Sequence, residues 1–183
     1  MKETHQQRRA RREADLQRIL APLCSSSQVQ EMHRFVQHGD TTTWRHCYRV
    51  ARFSYFFCLR FGLDAEAAAR GGMLHDLFLY DWHTTSMDGM EHALHHPEIA
   101  LRNACSVASL TEQEQDIILC HMWPLTSRRP GSPEAMVVSM MDKYAATAEV
   151  TGYLYRRVLD IRYRYWNLVI QCITFRRYAR QVI

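Results

Sequence analysis

The chain has 183 residues, a formal net charge of +4 and 47% hydrophobic residues. That length suits one domain able to bury roughly 70% of its unfolded surface, so no staple is needed to hold a core. The mild positive charge suits a small anionic ligand and falls short of a nucleic-acid footprint, and no run approaches the ~18 consecutive apolar residues of a membrane span.

Residues 1–21 read as a charged helix with a solvated or loosely docked face, an anion or partner contact being the alternative, Arg8, Arg9, Arg11, Arg12 and Arg18 set against Glu3, Glu13 and Asp15, ending before Pro22. No apolar stretch follows the charged start, so a secretory signal is not expected. Six cysteines without a C-x-x-C pair read as small buried hydrophobes in a reducing compartment, and a soluble cytoplasmic protein is expected. A short helix over residues 29–38 should close at Gly39. Thr41, Thr42 and Thr43 offer cap oxygens to a long helix running to Phe61, with Cys47, Val50, Ala51, Ser54, Phe57, Cys58 and Phe61 at the helical period and Gly62 as the stop. Asp64 caps the next helix, residues 65–77, in which Gly71 and Gly72 permit close packing and His75 and Asp76 occupy the last turn.

Residues 80–90 have loop composition and could close over a pocket. Pro97 suits the first position of a helix through Val107. Thr111 and Glu114 have the capping-box spacing, which starts a helix that ends at His121 or Met122 before Pro124. Arg128 and Arg129 follow on a loop, Pro133 opens a helix with Asp142 and Lys143 midway, and residues 153–183 are one or two helices dense in Tyr, Trp and Arg. No segment sustains the alternation of a strand, and no repeat or linker divides the chain. The expectation is an all-α, single-domain helical bundle over residues 1–183.

The chemistry gathers around His75-Asp76, a polar pair inside an otherwise apolar stretch. Burying an imidazole beside a carboxylate is costly unless a cation compensates it; the plainer reading is a pair that bonds to itself or caps a helix end. Further potential ligands follow in succession: His46 before the pair, then His96, His121 and Asp142, each at or near a predicted helix end. Mixed imidazole and carboxylate ligands suit Fe, Mn, Co, Ni or Zn better than Mg. Six ligands exceed one four-coordinate site. A bridging Asp76 would let His46, His75 and Asp142 hold one ion while His96 and His121 hold another. Two ions about 3.5–4 Å apart can share a water, lower its pKa and aim it as hydroxide at phosphorus.

This order of residues resembles the HD-domain metal-dependent phosphohydrolase superfamily, in its sub-pattern with two additional histidines. The resemblance covers residues 44–150 and leaves helices in 1–38 and 153–183 as extensions. It implies an all-helical HD-type fold and a dinuclear centre, Fe or Mn ahead of Co, Ni, Zn or Mg. His46, His75, Asp76 and Asp142 would form the core site, with His96 and His121 adding the second. It also implies hydrolysis of a phosphate ester of a nucleotide or other small phosphorylated metabolite. His92 and His95 compete with His96 for its slot; His96 is preferred because Pro97-Glu98-Ile99-Ala100 resembles the family's helix start.

Asp76 and Lys143 are the catalytic candidates, and Lys143, Arg128 and Arg129 the candidates for substrate phosphate, with snorkelling or solvated side chains as the plainer reading. Arg45 and Arg49 flank His46 as further cations. The lysine that some subfamilies carry soon after the His-Asp pair is missing here, which leaves Asp81 as an acceptor behind one of the ligating side chains, a leaving-group acid or a plain loop residue. In the C-terminal region Leu154, Val158, Ile161, Tyr165, Leu168 and Cys172 recur at helical spacing among arginines, which reads as a packing helix or a homodimer contact ahead of nucleic-acid binding. Two other readings stand beside hydrolysis: a catalytically silent regulatory module, and a di-iron oxygenase on the same ligand frame.

Overall fold

Helix α3, Thr43–Phe61, is the element on which the others are assembled in the computed structural model, which describes residues 3–84 and 89–179. Thr42 caps it by accepting from the Arg45 amide, and Gly62 ends it in the left-handed conformation at φ 70°. Its inner face, Cys47, Val50, Ala51, Ser54 and Cys58, is buried. Against that face lies α4, Ala65–Leu74, capped by Asp64. The approach is close because of Gly72, where a Cβ would stand 3.0 Å from the Ala51 Cα.

Around this pair pack α1 (His5–Cys24), α5 (Gly89–Val107), α6 (Glu112–Cys120) and the long α7 (Pro133–Ala179), with a short α2 (Ser27–Glu31) and a 3-10 turn at Met32–Arg34. The architecture is all-α, as expected. Buried ion pairs and caps tie the helices together: Arg70 of α4 bonds Glu114 of α6, and Glu134 of α7 accepts from the Asp64 amide and from Gln113. Among the described residues no helix is long and apolar enough to cross a membrane, and Cys24, Cys47, Cys58, Cys105 and Cys120 are free thiols.

Several sequence expectations are corrected. Helix α1 runs through Pro22 to Cys24, and it is docked firmly rather than loosely: Leu16, Leu20 and Leu23 are buried, and this packing outweighs the hydrogen bond the proline removes. The helix expected over 29–38 is replaced by α2, the 3-10 turn and a small antiparallel hairpin, β1 (Val36–His38) and β2 (Thr41–Thr42), turned by Gly39 at φ 62°. Strands of two and three residues are too short for alternation to register in a sequence. Helix α5 begins at Gly89 rather than at Pro97, because the turn before the proline is held by His92 and His96 packing on Phe78. Residues 133–179 form one continuous helix. Leu154, Val158 and Ile161 on it are exposed rather than packed on the rest of the chain, whereas Tyr165, Leu168 and Cys172 of the same stripe lie among residues whose side chains are not described.

Candidate metal centre

Helices α4 and α6 both end at a histidine. His75 is the C-terminal cap residue of α4, with Asp76 next in the chain, and His121 caps α6. Helix C-termini carry partial negative charge, so two of them meeting at one place favour a cation there. His46 arrives from the first turn of α3, His96 from the middle of α5 and Asp142 from α7. The structure brings all six of these residues together, and none is more than 8% exposed.

The contacts define two groups that share Asp76. In one, His46 Nε2 lies 3.0 Å from Asp142 Oδ1 and 3.9 Å from Asp76 Oδ2, and His75 Nε2 lies 3.4 Å from Asp76 Oδ2 and 3.6 Å from Asp142 Oδ1. In the other, Asp76 Oδ1 stands 3.0 Å from His96 Nε2 and 3.3 Å from His121 Nε2, which are 2.8 Å from each other. His46, His75 and Asp76, and likewise Asp76, His96 and His121, have ligand atoms close enough to hold one ion apiece.

Hydrogen bonding outside the cluster decides what these atoms can do. His75 Nδ1 donates to the Gly72 carbonyl (2.8 Å), His96 Nδ1 to that of His92 (2.9 Å) and His121 Nδ1 to that of Ile118 (2.7 Å). His46 Nδ1 faces the Glu149 carboxylate at 3.0 Å. A neutral imidazole with its hydrogen on Nδ1 has only a lone pair on Nε2. Four such lone pairs therefore point inward at each other and at two carboxylates. His75 Nε2 and Asp76 Oδ1 are buried with no hydrogen-bond partner at all. A convergence of acceptors without donors is stable only if cations or added protons fill it, and the donor set of imidazole and carboxylate fits a divalent metal.

Without a metal the cluster has to keep protons. Burial disfavours charge on His46, but the carboxylates of Asp142 and Glu149 outweigh it and push its pKa up to about 9. His75 moves well above its ordinary value in the same way, burial being overcome chiefly by Asp76. Asp76 and Asp142 are held well below the usual carboxylate range, since the histidines outweigh the burial that would raise them. His121, dominated by burial, is shifted down.

Three supporting residues were not anticipated. Glu149 lies seven residues after Asp142 on α7, so the two carboxylates share a helix face; that spacing was visible in the sequence. It holds both His46 and Arg49, which stand one turn apart on α3. Gln37 of β1 donates to Asp76 Oδ2 at 2.6 Å while accepting from Thr43, a contact that depends on the unforeseen hairpin. Ser139 lies under the His121 carbonyl at 2.8 Å. His38 joins His46 and Glu149 in a third potential ligand group, in which Arg49 already balances the Glu149 charge.

Of the three competing histidines, His96 enters the cluster. His95 is exposed, and His92 stacks between Trp82 and His96 and bonds the Tyr80 hydroxyl, its pKa pushed down to about 4 by burial and the neighbouring His96. Lys143 is committed elsewhere: its ammonium donates to the His121 carbonyl (2.7 Å) and to Ser139 (3.1 Å), and lies 3.7 Å from Asp142 Oδ2. Arg128 is exposed and faces Asp116 at 3.9 Å, and Arg129 is exposed; among the described residues neither is paired with any of the six converging side chains. Asp81 binds the amide and ring of His83 within its own loop. Arg45 is exposed in the first turn of α3 and donates its backbone amide to Thr42.

Neither the curated proteins nor the solved structures contain a match to the chain. The model of the HD domain matches residues 43–147, a span that covers more than half of the 183 residues and holds all six converging side chains. The chain therefore belongs to the HD-domain family, whose members are in general metal-dependent phosphohydrolases.

Proposed function

We propose that the protein is a metal-dependent phosphohydrolase that cleaves a phosphate ester of a nucleotide or other small phosphorylated metabolite at a two-metal centre. The observation that carries this reading is the inward convergence of four Nε2 lone pairs and two carboxylates. Divalent cations bound there would lower the pKa of a water and take up charge on the phosphoryl oxygens.

The chain's own residues do the rest. His46, His75 and Asp142 would hold one ion, His96 and His121 the other, and Asp76 has an oxygen toward each group. Gln37 fixes Asp76 Oδ2 by donating to it, which leaves Oδ1 facing His96 and His121. Lys143 fits a positioning role better than a phosphate-binding one: it secures the His121 carbonyl and offsets the Asp142 charge. Arg128 and Arg129 retain a role toward substrate only if a phosphate draws them in.

The test is a panel of phosphomonoesters and phosphodiesters, nucleotides included, assayed with Mn(II) or Fe(II). Metal-dependent hydrolysis of at least one compound, abolished by Asp76→Asn, is expected; silence across the panel would refute the reading.

A further inference from the structure

A large cleft opens between α1, α3 and α7, at the opposite end of α3 from His46. Its volume is about 860 Å³, within the range of roughly 300–1,000 Å³ common to small-molecule sites. Phe57 lies eleven residues beyond His46 on the same helix, roughly 16 Å along its axis, so a ligand bound around it does not reach the metal centre.

The wall chemistry is unusual in its one-sidedness. Arg8, Arg9, Arg12, Arg52 and Arg60 line the cleft, and no acidic side chain does. Arg8 is balanced by Glu3 at 3.5 Å and Arg52 by a two-point contact with Glu13 at 2.9 Å. Arg9, Arg12 and Arg60 have no ion-pair partner among the described residues. Three uncompensated guanidinium groups around one concavity repel each other and call for an anion of several charges.

The rest of the wall is aromatic. Phe53, Phe56, Phe57 and Phe61 of α3 face Tyr144 of α7. Phe61 and Tyr144 are each 61% exposed, which leaves aromatic surface open to a planar group; the Phe57 and Phe61 rings pack on each other at 4.5 Å and the Arg60 guanidinium lies 5.8 Å from the Phe61 ring centre, so cation and ring sit side by side. The Arg52–Glu13 contact and the buried Leu16, Leu20 and Leu23 fasten α1 in place, so the cleft does not depend on a loose arm.

We infer that this cleft is a second binding site, separate from the metal centre, for a nucleoside polyphosphate: Arg9, Arg12 and Arg60 hold the phosphates and the α3 phenylalanines and Tyr144 stack on the base. Met141 lines the cleft and Asp142, the next residue, faces His46, so an occupant presses on the same turn of α7 that supplies a carboxylate to the metal centre.

The test is calorimetric titration of the full chain, in EDTA, with the imido analogue of adenosine triphosphate. Because metal is withheld, the result does not depend on hydrolysis. The site predicts saturable binding of one equivalent per chain, weakened at least about tenfold by Arg9→Ala with Arg60→Ala, both exposed positions. Phe61→Ser should weaken it as well, and inorganic tripolyphosphate, lacking a base to stack, should bind about tenfold more weakly than the nucleotide. The inference is overturned by no saturable binding below about 1 mM, by binding that the double substitution leaves unchanged, by tripolyphosphate binding as tightly as the nucleotide, or by chain captured on phosphatidylserine vesicles in preference to the nucleotide.

Discussion

Glu149 Oε2 and His46 Nδ1 meet at 3.0 Å across 103 residues of sequence, and this contact sets which nitrogen of His46 points into the cluster. A carboxylate behind a ligating imidazole fixes its orientation and raises its basicity, and losing it costs about 10–100-fold in metal affinity. Glu149→Gln, which keeps the shape and removes the charge, should therefore weaken Mn(II) binding within that range while the helix content stays unchanged. Titration with a competing chelator checks this; unaltered affinity would reduce Glu149 to a packing residue.

The metal-free protein should lose stability as pH rises. His46 has a folded-state pKa of about 9, above its ordinary 6.5. Its contribution is fully present below pH 6.5 and disappears as pH climbs through 9, because in that window the folded state binds more protons than the unfolded one. The difference is on the order of 3 kcal/mol, and His75, shifted the same way, adds to it. Urea unfolding of EDTA-treated protein at pH 6.5 and pH 9 should show the higher midpoint at pH 6.5. Mn(II) should remove most of the difference, since the metal replaces those protons.

Gly72 distinguishes helix propensity from packing. Alanine in a helix interior is ordinarily favoured over glycine by about 1 kcal/mol. Here the added Cβ would meet the Ala51 Cα at 3.0 Å and its amide nitrogen at 3.2 Å, backbone atoms that cannot turn aside. Gly72→Ala should thus destabilise, by about 1–3 kcal/mol, and disturb His75, whose Nδ1 donates to the Gly72 carbonyl. A raised unfolding midpoint would show that α3 and α4 have room to separate.

The elements that carry their own punctuation were legible in the sequence. Thr42 and Gly62 bound α3, and the Thr111–Glu114 capping box starts α6, because these signals act within three or four residues. Gly71 and Gly72 announced the tight α4 contact for a similar reason. The six converging residues were legible as residue types in sequence order. Gln37 was not, since its contact with Asp76 spans 39 residues and depends on a hairpin with no pattern of its own. Helices α1 and α5 run through Pro22 and Pro97 because buried leucines and the His92–His96–Phe78 contacts outweigh the local signal, and such contacts exist only after folding.

Lys143 offers a test of positioning against phosphate binding. If it secures the His121 carbonyl, Lys143→Met should lower the unfolding midpoint, by about 1–3 kcal/mol in stability, and weaken the second metal, with little change in KM for a phosphorylated substrate. A large rise in KM with metal content intact would assign it to the substrate instead.

The most direct measurement is the metal content, by plasma mass spectrometry, of protein reconstituted with Mn(II) and freed of excess ion. Two ions per chain are expected, one lost in His121→Ala and both lost in Asp76→Asn, the residue common to the two groups. A chain that retains no metal above background, or an Asp76→Asn variant that retains as much as the parent, would contradict this expectation.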